Sequence, residues 1–172
     1  DSLINPTNAE LTFTAKGDVY NLNKIVAKDQ ILLNGRNIFN AGGIATTVGV
    51  VDLNAKNDIT NIGSITGATQ VDVNAGNELH LENGTITGRT HVIMHAGNNA
   101  IFKGASITGA LVDITSGGNV SMTAGSINSA DGTINITANN DISHKNGSII
   151  ASNANLIAEN SIVLEDGSLI AN

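Results

Sequence analysis

A short phrase, apolar-x-apolar-x-small, recurs eight times along the chain: Leu11-Phe13-Ala15, Ile31-Leu33-Gly35, Val51-Leu53-Ala55, Val71-Val73-Ala75, Val92-Met94-Ala96, Val112-Ile114-Ser116, Ile134-Ile136-Ala138 and Ala154-Leu156-Ala158. Successive central residues are 20, 20, 20, 21, 20, 22 and 20 positions apart. Self-similarity at a near-constant period of this length marks a repeat architecture. A second apolar set follows at a fixed offset, as in Ala100, Phe102 and Ile107 after Ala96, or Ile162, Leu164 and Leu169 after Ala158. Most repeats close on Gly-Ser/Thr-apolar, for example Gly63-Ser64-Ile65, Gly84-Thr85-Ile86 and Gly147-Ser148-Ile149.

Apolar and polar residues alternate within each repeat. A two-residue period places the apolar set on one face of a strand, and no stretch keeps a 3.6-residue period long enough for a helix. Each repeat therefore reads as three short strands joined by Gly/Asn turns. One such coil cannot stand alone. Roughly five buried side chains at about 1.5–3 kcal/mol each do not offset about 1.5 kcal/mol per residue of ordering over roughly 20 residues. Stacking removes the deficit, because each strand pairs with its counterparts above and below. The predicted fold is all-β: a right-handed parallel β-helix of about eight coils of 20–22 residues. At about 4.8 Å per strand spacing, it would be a rod roughly 40 Å long.

Asn57, Asn77, Asn98, Asn140 and Asn160 fall at one place in the repeat, with Gly17 and Gly118 in the same slot. Asn and Gly tolerate a left-handed backbone, and stacked Asn amides can bond along a rod, so this column is expected to be a turn ladder. Composition agrees with thin layers: only Phe13, Phe39, Phe102 and Tyr20 are aromatic, against 19 glycines. Residues 1–172 are read as a single β-helix segment, an excerpt of a longer array cut within the repeat at both ends, because Ser2-Leu3 matches the closing Ser168-Leu169.

Charge narrows the function classes. The net charge is −7, with eight basic residues, which leaves no Lys/Arg cluster for nucleic acid phosphates and no polybasic handle for an anionic membrane. No apolar run approaches the roughly 18–20 residues of a membrane-spanning helix, and membrane insertion by this segment is not expected. With no cysteine, neither a disulfide scaffold nor a Cys-ligated zinc is open to it.

Strings such as Val71-Asp72-Val73-Asn74-Ala75-Gly76-Asn77 followed by Gly84-Thr85-Ile86 resemble the roughly 20-residue repeats of the filamentous haemagglutinin family. The resemblance covers essentially the whole chain. It implies a large bacterial exoprotein exported by two-partner secretion, a group that includes adhesins, haemolysins and the stick proteins of contact-dependent growth inhibition. An outer-membrane two-partner transporter and a receptor on a contacted cell are the partners it implies, and the bacterial surface or the medium is the location. Asn5-Pro6-Thr7-Asn8 only echoes the Asn-Pro-Asn signature of the family's secretion domain, and that domain is not assigned.

Candidate chemistry falls on the outward positions. Asp52, Asp72 and Asp113 share one register, interrupted by Ile93; Asp58, Glu78 and Asp141 form a second broken series. Hydrolysis needs two carboxylates on one face of a substrate site, and the arginines, Arg36 and Arg89, fall beside neither series. Both series read as solvated outer faces. His80, His91, His95 and His144 read as scattered surface histidines; His91 and His95 flank Val92-Ile93-Met94 on a strand and form no ligand pair. Calcium-binding nonapeptide repeats require Gly-Gly-x-Gly-x-Asp, of which Gly117-Gly118-Asn119 is a single weak fragment, and Asn83, Asn119, Asn135 and Asn146 each open an Asn-x-Ser/Thr sequon. No catalytic, cofactor-binding or metal residue is assigned, and no enzyme is expected. The expected role is a structural shaft projecting a functional tip. The alternatives are a carbohydrate-active β-helix enzyme, which would need long loops, and a segment of a secreted haemolysin, which would need an exposed apolar stripe.

Overall fold

The computed structural model describes residues 9–171; Ser2-Leu3 and Asn5-Pro6-Thr7-Asn8 lie outside them. Eight coils of three strands each stack in parallel, with no helix among the described residues. The first face begins with Glu10–Thr14, Gln30–Gly35 and Val50–Ala55, the second with Val19–Asn21, Ile38–Asn40 and Ile59–Asn61, and the third with Lys24–Ala27, Gly43–Thr46 and Ser64–Gly67. Each strand pairs with the same strand of the next coil, so Phe13 lies in register with Leu33, Leu33 with Leu53, and Leu53 with Val73. The column continues through Met94, Ile114, Ile136 and Leu156.

The alternation decides which side chains enter the lumen. Ile31, Leu33, Val51, Leu53, Val71 and Val92 are fully buried on the first face, while their odd-even neighbours point out. Ile44, Ile65, Ile86, Ile107, Ile127 and Ile149 form the equivalent column of the third face. The one 22-residue spacing is absorbed at a corner. Thr108 pairs with Asn128, 20 residues on, whereas Leu111 pairs with Thr133, 22 residues on. Two residues are therefore added between Asn128 and Thr133, and the chain runs through this corner as one strand, Ser126–Ala138. Ser148–Ala158 does the same above it, with a register shift between Ser129 and Thr133. These two long strands merge the first and third faces into one sheet.

The left-handed turns differ from expectation. They occur at Asn83 (φ 54°), Gly104 (59°), Ala124 (54°), Asn146 (52°) and Asp166 (50°), two positions before the third-face strand begins. The Asn57 column instead keeps a regular backbone ladder: Asn77 N–H donates to the Asn57 carbonyl at 2.8 Å and Asn98 N–H to that of Asn77 at 2.7 Å. Its side chains do not bond to one another. Asn77 and Asn160 donate to the carboxylates of Asp58 and Asp141, at 2.7 and 2.8 Å. The backbone conformation with φ > 0 falls on the corner between the second and third faces, at residues that include Gly and Asn.

A stacked-amide ladder does exist, inside the rod. On the second face Asn21, Asn40 and Asn61 point inward and are 5%, 0% and 0% exposed. Asn21 Nδ2 donates to Asn40 Oδ1 at 2.7 Å, and Asn40 Nδ2 to Asn61 Oδ1 at 2.6 Å. The ladder stops because the next coil offers Leu81, and Asn61 Nδ2 turns to the Gly63 carbonyl at 3.2 Å. From there upward the column is Leu81, Phe102, Met122 and His144.

Two classes of interior substitution should then behave differently from an exterior one. Leu53→Asp, which buries an unpaired carboxylate, is expected to cost several kcal/mol. Asn40→Leu orphans the buried amide groups of Asn21 and Asn61, at about 1–3 kcal/mol each. Asp113→Asn, on the outer face, should fall within about 0.5 kcal/mol of the parent. Thermal melts of the three variants check the order; an Asn40→Leu variant as stable as the parent would refute the ladder.

Candidate functional site

Because the lumen is filled, any chemistry or contact falls to the outer faces and corners. The corner entering the second face carries Asp18, Asn37, Asp58, Glu78, Asn99, Asn119 and Asp141, one per coil. Asn37, Asp58, Asn99 and Asn119 each accept a backbone N–H of the next coil, while Asp18, Glu78 and Asp141 accept from side chains of the next coil. Asp58 N–H donates to Asn37 Oδ1 at 3.2 Å, Glu78 N–H to Asp58 Oδ1 at 3.0 Å, and Asp141 N–H to Asn119 Oδ1 at 3.1 Å. In the series Asp58, Glu78 and Asp141, expected to be solvated, Asp58 thus ties the corner backbone of the next coil, while Glu78 and Asp141 accept from the side-chain amides of Asn99 and Asn160.

Arg36 departs from expectation too. It forms a two-pronged pair with Asp18 at the start of this column, Nε to Oδ1 at 3.0 Å and Nη2 to Oδ2 at 3.1 Å. The guanidinium lowers the Asp18 pKa, with Asn37 adding a hydrogen bond, and Asp18 in turn raises that of Arg36.

Asp52 and Asp72 are neighbours in register on the first outer face. Gln30 Nε2 donates to Asp52 at 2.7 Å, and Gln70 Nε2 to both oxygens of Asp72 at 2.8 and 2.7 Å. Burial raises the Asp72 pKa, opposed by the Gln70 hydrogen bond and reinforced by the Asp52 carboxyl. Beyond them the register breaks at Ile93, as expected, and resumes at Asp113, which accepts from Asn135 Nδ2 at 2.6 Å.

Three histidines lie outward. His80 and His91 are half-buried, and His95 is exposed with Nδ1 at 2.9 Å from Thr115 Oγ1. His144 corrects the reading of scattered surface histidines: it points into the lumen at 1% exposure. The signal was available, since His144 stands six residues after Ala138, as Met122 does after Ser116 and Phe102 after Ala96. Among the described residues no group of three His, Asp or Glu side chains converges as a metal site would require.

The outer faces are not uniformly polar, contrary to expectation. Tyr20 and Phe39 stand side by side on the second face, ring centroids 6.2 Å apart and tilted by 50°, with Tyr20 68% exposed. A shallow hollow beside them is lined by Asp18, Asn37, Phe39, Asp58 and Thr60. In the last coil Ile157, Val163 and Ile170 also point outward and are exposed. Aromatic side chains are enriched at protein contact surfaces, so Tyr20 and Phe39 are contact candidates that the repeat pattern did not reveal.

A family model described as Hemagglutinin repeat matches residues 82–125. That stretch spans two coil lengths, and coils in the same three-face register continue on both sides of it. The match agrees with the filamentous haemagglutinin resemblance drawn from the repeat strings. No curated protein matches the chain, and no solved structure does.

Asp72 gives a pH-dependent test of the first outer face. A carboxyl whose folded pKa is raised holds its proton more tightly in the native state, so once ionised it costs stability. That cost is complete above the folded pKa and vanishes below the unfolded value of about 3.9. Asp72→Asn should therefore melt higher than the parent at neutral pH, with the gap closing as pH falls through the carboxylate range. Melting curves across that range check the sign; a variant less stable at neutral pH contradicts it.

Proposed function

We propose that this segment is a rigid shaft of a secreted, surface-displayed bacterial adhesin or contact-dependent toxin-delivery protein, exported by an outer-membrane two-partner transporter. The observation that carries the reading is the unbroken register: every coil repeats the same three strands, at spacings of 20–22 residues with no inserted loop. Such a stack does mechanical work only. Its length is the sum of its coils, about 4.8 Å each, and its stiffness comes from strands paired on both sides. The work is done without catalysis, because the carboxylates that might cleave a substrate sit on flat faces and corners where amides and backbone N–H groups already hold them.

Export suits this architecture. Each coil closed outside the cell offers a finished edge for the next, so folding can proceed one coil at a time, and no disulfide has to form on the way. Contact with a receptor on another cell would fall on the Tyr20 and Phe39 face, the exposed aromatic surface of the shaft.

Deleting one whole repeat, Val71 through His91, joins Gln70 to Val92 and leaves every later side chain in its column. The shortened chain should fold, and the rod should shrink by about 4.8 Å, readable by small-angle X-ray scattering. Removing half a repeat should abolish folding, because each later inward residue would lose its place. In the parent protein, whole-repeat deletion should leave tip activity intact. Loss of cell binding by a folded, displayed deletion variant would replace the spacer reading with a receptor site between Val71 and His91.

A further inference from the structure

His144 is the one ionisable group in the lumen among the described residues, and its surroundings leave no place for a charge. It is 1% exposed, and its Nε2 atom has no hydrogen-bond partner. Below it in the column lies Met122, above it Leu164. Two corner glycines close over the ring. A Cβ added at Gly147 would stand 2.9 Å from Nε2, and one at Gly167 would stand 2.5 Å from Cε1 and 2.7 Å from Nδ1. At Gly167 the imidazole fills the space that a methyl group would take; at Gly147 it does so together with the Gly125 carbonyl oxygen, which would lie nearer still, at 2.6 Å.

We propose that His144 makes the seventh and eighth coils an acid-labile joint: on mild acidification these coils part from the stack, while those from Gln30 to Thr123 stay closed.

The neutral ring is tolerated in the column because its size suits the site between Met122 and Leu164. The imidazolium is not, since it would bring a second N–H donor and a full charge into a space whose neighbours are a thioether, an isobutyl group and two glycine corners. The charged groups of the packed elements do not compensate. The strand of His144 carries Asp141 and Lys145; the strand above carries Glu165, and the turn before the third face carries Asp166. Lys145 and Glu165 pair with each other on the outside at 3.0 Å, and Asn160 occupies Asp141. Val120–Thr123 below, and Ser148–Ala158 and Ser168–Ala171 on the adjoining face, carry no ionisable side chain, while Asp131 of Ser126–Ala138 is exposed.

Burial alone lowers the His144 pKa from its ordinary value of 6.5. The opened state then takes up a proton that the closed state refuses. Stability is complete above about 6.5 and is lost as pH falls toward the depressed folded value. Opening is cheapest where the proton is taken up, at the seventh coil that carries His144 and the eighth that covers it.

Hydrogen exchange of the 172-residue chain, compared at neutral pH and at about pH 5 after correction for intrinsic rates, tests the joint. The expected result is that amides of Asp141–Lys145 and Ser161–Glu165 open about tenfold more per pH unit below about 6.5, while Gln70–Ala75 is unchanged. His144→Met, which repeats the residue below, should hold its protection at both values. The same pH response in His144→Met overturns the proposal, as does a loss spread evenly over all coils. An NMR titration of the His144 ring in the unaltered chain decides the matter even if the variant misfolds: a pKa at or above the ordinary 6.5 overturns it.

Discussion

Parallel pairing between successive coils is the constraint on which everything else rests. A strand in this rod has no partner within its own coil, so its backbone N–H and C=O groups are satisfied only by the coils above and below. Register is thereby fixed along the axis. A residue facing the lumen in one coil forces its counterpart to face the lumen in the next, and the interior becomes a set of columns instead of a single pool of side chains. Repeat length follows from the same cause. Two extra residues between Asn128 and Thr133 are accepted because they bulge at a corner, after which Thr133 pairs with Leu111 and the columns resume.

Each column selects its own chemistry. On the first and third faces aliphatic side chains fill the space, and small residues such as Ala75, Ala96 and Ala151 sit where the corners narrow. The second face tolerates a change of character along its length. Three amides bond to one another from Asn21 to Asn61, and four non-amide residues then follow from Leu81 to His144. The amide ladder is stable because every member has a neighbour of its own kind in register, as stacked amides do in other in-register sheets. A polar residue placed singly in such a column has no such neighbour. His144 is the example, its Nε2 unpartnered between Met122 and Leu164.

Much of this was legible in the chain. Alternation gave strands, the constant period gave coils, and the eight central residues from Phe13 to Leu156 occupy one column as their spacing predicts. What escaped was the meaning of individual polar residues, for a physical reason. An asparagine fits a left-handed turn, a lumen ladder and a corner bond equally well, and only its place relative to the pleat decides among them. Asn57 and its equivalents fit the first use by composition, yet the left-handed positions are Asn83, Gly104, Ala124, Asn146 and Asp166. Asn40 and Asn61, whose inward parity matches that of Leu81 and Phe102, were legible as lumen residues once parity was weighed above polarity. His144 was hidden by the same preference for reading polar residues as exposed.

The division between columns and outer faces also explains where function can vary. A lumen substitution is felt by the coils on both sides, and a corner carboxylate such as Asp58 is committed to the backbone of its neighbour. Side chains in the middle of an outer face carry neither obligation. Tyr20 and Phe39 stand side by side, Tyr20 largely exposed and Phe39 half-buried, while the equivalent positions higher up are Thr60, His80, Ile101 and Ser121. Nothing in the stacking requires an aromatic pair at the first two coils and a hydroxyl at the sixth. Backbone pairing is complete on that face from Val19–Asn21 through Ser161–Glu165, so a partner cannot join it as an added strand within the array and must be met by side chains. A shaft of this kind can therefore change what it touches without changing how it stands. The exposed aromatic pair is where such a contact would leave its mark.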